Sequence, residues 1–295
     1  ERANERRISL SNFNKPIGVN GPIANQAGMS IWSKGYSANG TASTDSNIEG
    51  YDLSGAGTIF GLDYAAKKYV AGIAAGMTSQ TMKMDSSGEY TGSGTHFTGY
   101  MSYGVDGWFI ESSASLANSS LDFVSAGAFD LKTNYSANDF TVYLGAGYLM
   151  KGDTSSWIPE IGFVLNNYNQ DNAQDVSQEI VATNLDDLAE TSLQMRLGLT
   201  GGFKQDLVGR ELLTQVKLRW LNTVGVSEEE IDFQLSGGSS VYQTPILNAA
   251  KSIVEFGVGT QLRMNRSFSL LMGFDYEVGG GYSANRLSAG VRYSF

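Results

Sequence analysis

The C-terminal stretch of the chain alternates apolar and polar side chains with a period of two, and few folds accommodate that pattern sustained over so many residues. Val254, Phe256, Val258, Thr260, Leu262 and Met264 share one face, with Glu255, Gly257, Gly259, Gln261 and Arg263 on the other. The next segment sets Phe268, Leu270, Met272, Phe274, Tyr276 and Val278 against Ser269, Gly273, Asp275 and Glu277. A third sets Leu287, Ala289, Val291, Tyr293 and Phe295 against Arg286, Ser288, Gly290, Arg292 and Ser294. Period two is the mark of a strand with two unlike faces, and it recurs along nearly the whole chain.

A soluble sandwich would turn the apolar faces to a shared core and the polar faces to water. Two features argue otherwise. Glycine and charges of both signs crowd the polar face, as expected of a confined aqueous lumen. Aromatic residues gather near strand ends: Trp32, Tyr36, Tyr51, Tyr64, Tyr69, Tyr103, Trp108, Tyr148, Trp157, Trp220, Tyr276, Tyr282 and Tyr293. Such rings form the girdles of an outer-membrane barrel at the lipid headgroups.

Strand-like segments fall at 29–38, 50–65, 69–84, 95–104, 108–118, 139–150, 157–168, 192–204, 211–222, 252–264, 267–278 and 284–295. Twelve is an even number, as a single-chain barrel with both ends on one side requires. The connectors alternate accordingly: short at 66–68, 105–107, 151–156, 205–210 and 265–266, long at 39–49, 85–94, 119–138, 169–191 and 223–251, with a brief one at 279–283. Pro159, which removes a ladder donor, falls at the start of its strand, where it is tolerated. The expected fold is all-β, a twelve-stranded antiparallel transmembrane β-barrel.

Composition closes off other classes. Cysteine is absent and there is one histidine, so no disulfide framework, thiolate zinc site, cysteine nucleophile or metal-ligand spacing exists. No cofactor or metal is expected, since GGG at 279–281 is a tight turn rather than a phosphate loop. A net charge of −10 without a basic stripe argues against nucleic acid. The best apolar run, Tyr69 to Met77, is about half the ~20 residues of a membrane helix.

Residues 1–14, ERANERRISLSNFN, lack the alternation and read as a short helix that ends at Pro16 to Pro22. Two units are expected: 1–26, a linker helix and pore-threading segment, and 27–295, the barrel. By parity the inward charges are Asp63, Glu111, Glu160, Glu255, Asp275 and Glu277 against Arg196, Lys217, Arg219, Arg263, Arg286 and Arg292. The acids on the second, fifth and seventh strands lack an obvious basic neighbour, and Arg2, Arg6 and Arg7 would supply one if the leader lay in the pore as a plug.

The run Gly50-Tyr51-Asp52 followed by Gly57, Gly61, Asp63 and Tyr64 resembles the early strands of the autotransporter translocator domain, the type V secretion β-domain. Trp32, the small-residue strand VAGIAAGM at 70–77, and Tyr100, Tyr103 and Trp108 follow the same family order. The C-terminal Ser288, Gly290, Tyr293 and Phe295 resemble the signal read by the outer-membrane barrel assembly machinery, a strand able to pair edge-on with that partner. The resemblance implies a monomeric barrel in the outer membrane of a Gram-negative bacterium that exports and anchors an upstream passenger domain on the extracellular side, with the helix left in the lumen. Glu1 is not an initiator Met, and the chain is expected to be the C-terminal part of a longer exported polypeptide. Some members cut the helix at an Asn-Asn pair; here Asn12 and Asn14 are separated by Phe13.

Two alternatives remain at this point. An outer-membrane hydrolase of phospholipase or protease type would need His96, which this reading places at the top of the fourth strand near Ser93, Asp85 and Glu89; a lone loop-edge histidine reads as solvated, and no enzyme is expected. A diffusion porin would need an open lumen. The segment Ser227–Thr244, which begins Ser-Glu-Glu-Glu, would extend the barrel as a hairpin or bind a cation, although three adjacent carboxylates in a loop read more simply as solvated.

Overall fold

The computed structural model describes residues 28–44, 50–66, 68–86, 88–125, 132–152, 154–171, 174–175, 183–185, 188–226, 230–235, 241–245 and 252–295. The expected leader helix, Arg2, Arg6 and Arg7 and the whole 1–26 unit lie outside the described residues, as do Ser227, Glu228 and Glu229.

The strands are β1 (Gly28–Ala42), β2 (Tyr51–Ala65), β3 (Tyr69–Met84), β4 (Gly88–Val105), β5 (Trp108–Ser125), β6 (Lys132–Tyr148), β7 (Ser155–Gln170), β8 (Leu188–Leu207), β9 (Arg210–Val226), β10 (Ser252–Arg263), β11 (Phe268–Gly279) and β12 (Tyr282–Ser294). Each pairs antiparallel with its sequence neighbours, and β12 returns to β1 with Ser30 opposite Ser294 through Ala42 opposite Tyr282. The barrel is therefore closed, which matters in lipid because every backbone donor must be met within the protein. Pro159 stands opposite Leu199 on β8, while the β6–β7 ladder ends one residue earlier at Gly147–Glu160, so its missing N–H interrupts no bond there.

The connectors at one end are tight. Asp106-Gly107 and Val208-Gly209 join their strands with all four residues at positive φ: 51°, 88°, 54° and 74°. That is the backbone of a two-residue type I′ turn, whose twist matches the flanking strands. Asp-Gly suits it; Val208 does not, because a β-branched side chain at positive φ is strained. Val208 is 94% exposed, so packing does not compensate. Val208→Asn is expected to stabilise the barrel by about 1 kcal/mol, read as a higher midpoint in urea unfolding; an unchanged midpoint would show the turn is not strained.

The other end carries the longer connectors, with two corrections to the sequence reading. The loops expected at 85–94 and 119–138 are mostly strand: β3 and β4 are separated by 85–87 and β5 and β6 by 126–131. Toward this end the polarity of the wall inverts. Thr91, Ser93, Asn118, Ser120, Asn134 and Ser136 point outward, while Tyr51, Leu53, Met82, Tyr90, Leu121, Tyr135 and Tyr168 pack together inside. Beyond the lipid the outer face meets water, so an outward apolar series is no longer required, and the pattern by which the membrane strands are recognised disappears. A hairpin of Glu230–Leu235 with Val241–Pro245, joined by Thr183–Leu185, forms a separate three-stranded sheet at this end.

Candidate functional site: the lumen wall and the closing seam

Inward positions on β7 to β12 carry a continuous set of ion pairs, built across glycines. Gly198 on β8 stands opposite both Glu160 on β7 and Arg219 on β9, and those two charges meet over it in a salt bridge. A Cβ on Gly198 would lie 2.8 Å from Glu160 Oε1 and 2.9 Å from Arg219 Cγ. Gly257 on β10 repeats the device between Lys217 on β9 and Asp275 on β11, whose Nζ and Oδ1 lie 2.7 Å apart. Lys217 also meets Glu255 at 2.5 Å, Arg219 approaches Glu255 at 3.6 Å, and Arg286 pairs with Asp275 directly opposite on β12. A glycine on the middle strand thus brings charges two strands apart into contact.

The acids on β2, β5 and β7 do have partners, contrary to the reading from parity. Glu160 meets Arg219. Asp63 accepts from Arg292 Nη2 at 2.6 Å across β1. Glu111 accepts from Tyr143 OH at 2.6 Å, and Arg196 lies over the Tyr143 ring, 5.7 Å from its centroid. Arg196 Nε donates to Gln194 Oε1 at 3.0 Å. Glu277 is buried directly opposite Glu255, and Arg263 pairs with Glu211 at 3.0 Å toward the tight-turn end.

Around the closing seam a second network forms. Trp32 Nε1 donates to Tyr100 OH at 3.1 Å, and Tyr100 OH donates to Asp63 Oδ2 at 3.2 Å, so Asp63 is held by both Tyr100 and Arg292. Arg292 on β12 reaches Asp63 on β2 past small Ser30 on β1, whose Oγ lies 3.0 Å from Ser294 Oγ. The last strand is thereby tied to the first two. Trp32, Tyr36, Tyr51 and Tyr282 are inside the barrel rather than in the girdle: β1 turns Trp32, Lys34 and Tyr36 inward together, and Tyr51 and Tyr282 are buried at the long-connector end, both opposite Ala42. Their rings cover lumenal glycines: Gly61 lies under Trp32 and Gly57 under Tyr36. Tyr64, Tyr69, Tyr103, Trp108, Tyr148, Trp157, Trp220, Tyr276 and Tyr293 are exposed on the outer face.

Of the C-terminal residues, Ser288 is buried and donates to Gly273 O at 3.3 Å. Gly290 backs onto Lys34, whose Cα a Cβ would approach to 3.1 Å. Tyr293 and Phe295 face outward with rings 5.1 Å apart at 79°.

His96 is a further correction. It is buried in the middle of β4 with its ring over Gly76, while Ser93 faces outward, so the two form no catalytic pair. Sequence reasoning missed buried Lys34 and Glu190 and the tyrosines of both networks. Lys34 was legible only through the parity of β1, where neither face is strongly apolar.

A closed antiparallel barrel with an apolar exterior and a charge-lined interior is a membrane conduit, and comparison with known proteins agrees. The family model described as autotransporter β-domain matches residues 31–277. No curated protein matches the chain by sequence. Among solved structures, the transport unit of the autotransporter AIDA-I from Escherichia coli superposes with a TM-score of 0.76 at 16% identity, covering 100% of this chain and 97% of that one. The translocator domain of autotransporter NalP from Neisseria meningitidis gives 0.74 at 15% identity, covering 99% and 94%. The β-domain of the Bordetella autotransporter BrkA gives 0.67 at 20%, covering 91% and 100%. The family match over most of the length, on a fold of this kind, means that the chain belongs to the autotransporter β-domain family and is an outer-membrane translocator barrel.

Proposed function

We propose that this barrel carries a passenger encoded upstream of residue 1 to the cell surface and then anchors it, with the long-connector end outside the cell. The observation that carries this is the position of β1. It starts at the tight-turn end, beside the C-terminus, where Phe295 N donates to Met29 O at 2.9 Å. A segment preceding Gly28 therefore meets the barrel at that end, and its route to the other end runs through the lumen. Residues 1–26 act as the linker that remains there, with Arg2, Arg6 and Arg7 adding to the partners that Asp63, Glu111 and Glu160 already have in Arg292, Tyr143 and Arg219. The inward acids Asp63, Glu111, Glu160, Glu255, Asp275 and Glu277 balance the inward bases Arg196, Lys217, Arg219, Arg263, Arg286 and Arg292, so the wall offers the linker a surface of no strong net sign.

In this reading the barrel acts as a monomer and as a conduit, without chemistry of its own. Ser288, Gly290, Tyr293 and Phe295 form the strand presented to the outer-membrane assembly machinery, by edge pairing. Planar-bilayer recording tests the linker: deleting residues 1–20 should raise single-channel conductance several-fold, and an unchanged conductance would rule out the plug. A reporter fused ahead of Glu1 should be digested by protease added to intact cells, and a reporter that stays protected would overturn export.

A further inference from the structure

The lipid-facing band is not of even height around the barrel. Counting outward positions from the tight-turn rim, β11 presents Phe268, Leu270, Met272, Phe274, Tyr276 and Val278, an unbroken apolar series. On β7 the series is Trp157, Pro159, Ile161, Phe163 and Leu165, and on β3 it is Tyr69, Ala71, Ile73, Ala75 and Met77. On β1 it stops after Met29 and Ile31: the next outward residues are Ser33, Gly35, Ser37, Asn39 and Thr41. On β2 it stops after Tyr64, Leu62 and Phe60, and Thr58, Ala56, Ser54 and Asp52 follow.

This is not a disordered edge. Ser33 is paired with Val291 and Phe60, Gly35 with Ala289 and Thr58, and Ser37 with Leu287 and Ala56, so the polar positions lie within a continuous wall. A tilted strand climbs the bilayer by about 5 Å per outward position. The band on β1 is thus two positions high, where a full band of about 25 Å needs five. Below the polar stretch the wall is also indented, with a hollow of about 450 Å³ bordered by Ile31, Ser33, Phe60, Ile73, Val291 and Tyr293.

We propose that the bilayer is locally thinned along β1 and β2, on one side of the closing seam, so that phospholipid headgroups and their water descend to Ser33 and Gly35; across the seam β12 keeps an apolar series of Phe295, Tyr293, Val291, Ala289 and Leu287. The occupant follows from chemistry and continuity. The stretch carries hydroxyls and glycine rather than large apolar side chains, and it runs without a break into Asn39, Thr41 and Asp52 at the wet end. A membrane accommodates a short band by thinning, at a fraction of a kcal/mol for each ångström. The low stretch of the hydrocarbon barrier then lies beside the seam between β1 and β12.

The chain has no cysteine, which makes the test clean. Single Ser33→Cys and Gly35→Cys variants, reconstituted in phosphatidylcholine vesicles, are compared with Met272→Cys and Phe274→Cys at the matching third and fourth positions. A Cβ at Gly35 would meet only Gly57 O at 3.9 Å, so that variant fits the wall. With a membrane-impermeant maleimide added to both sides of the vesicles, the β1 positions should react roughly ten-fold faster than the β11 positions. Retained heat-modifiability confirms that each variant is folded. Equal rates would overturn the proposal. So would β1 labelling that falls as the protein-to-lipid ratio rises, because a second copy rather than headgroups would then cover the stretch.

Discussion

A chain lacking Tyr293–Phe295 is expected to be synthesised normally but to yield roughly ten-fold less heat-modifiable barrel in the membrane fraction, because closure in lipid leaves no tolerance for unpaired backbone. The truncation removes Tyr293 from between Ile31 on β1 and Phe268 on β11, and Ser294 from opposite Ser30. It also removes two terminal bonds, Ser294 N to Ser267 O at 2.7 Å and Phe295 N to Met29 O at 2.9 Å. The start of β1 would then present open donors and acceptors within the bilayer, at several kcal/mol each. A normal amount of heat-modifiable protein in the membrane would contradict the expectation. Tyr293→Ala with Phe295→Ala keeps the backbone and discards only the rings. If that variant also fails to insert, the rings act in recognition; if it inserts, closure alone explains the truncation.

The second large effect is expected at Arg219. Its side chain is 2% exposed and lies between Glu160 and Glu255, themselves 7% and 3% exposed. Removing it takes from buried Glu160 the cation it meets over Gly198, while Glu255 keeps Lys217 at 2.5 Å. Breaking a buried pair on one side costs about 3–5 kcal/mol, whereas replacing all the charges together is far milder. Arg219→Ala should therefore unfold at clearly lower urea than the parent. Combining Arg219→Met with Glu160→Gln and Glu255→Gln should restore most of the loss. If Arg219→Ala unfolds with the parent midpoint, water in the lumen already solvates these acids, and the ion pairs contribute little. The same single variant in bilayer recordings should shift ion selectivity toward cations, since it removes a positive charge from the wall.

The alternation of apolar and polar residues was enough to read twelve membrane strands, their antiparallel order and the tight-turn end. It works there because lipid on one side and water on the other impose opposite demands on successive residues. The same logic failed where the environment changed. Above the lipid, Tyr90, Leu121 and Tyr135 turn inward beneath outward Thr91, Ser120 and Ser136, so these strand extensions have the sequence pattern of loops. It failed for Trp32 and Tyr36 as well, since an aromatic ring satisfies a girdle or a lumenal glycine equally well. Inward direction was legible for the charges, but not partnership. Asp63 finds Arg292, and Glu160 finds Arg219, only once the chain closes and the register sets residues two strands apart over Ser30 or Gly198. Which face a side chain takes is a local property of a strand in lipid; which side chain it meets depends on closure and register, and those belong to the whole barrel.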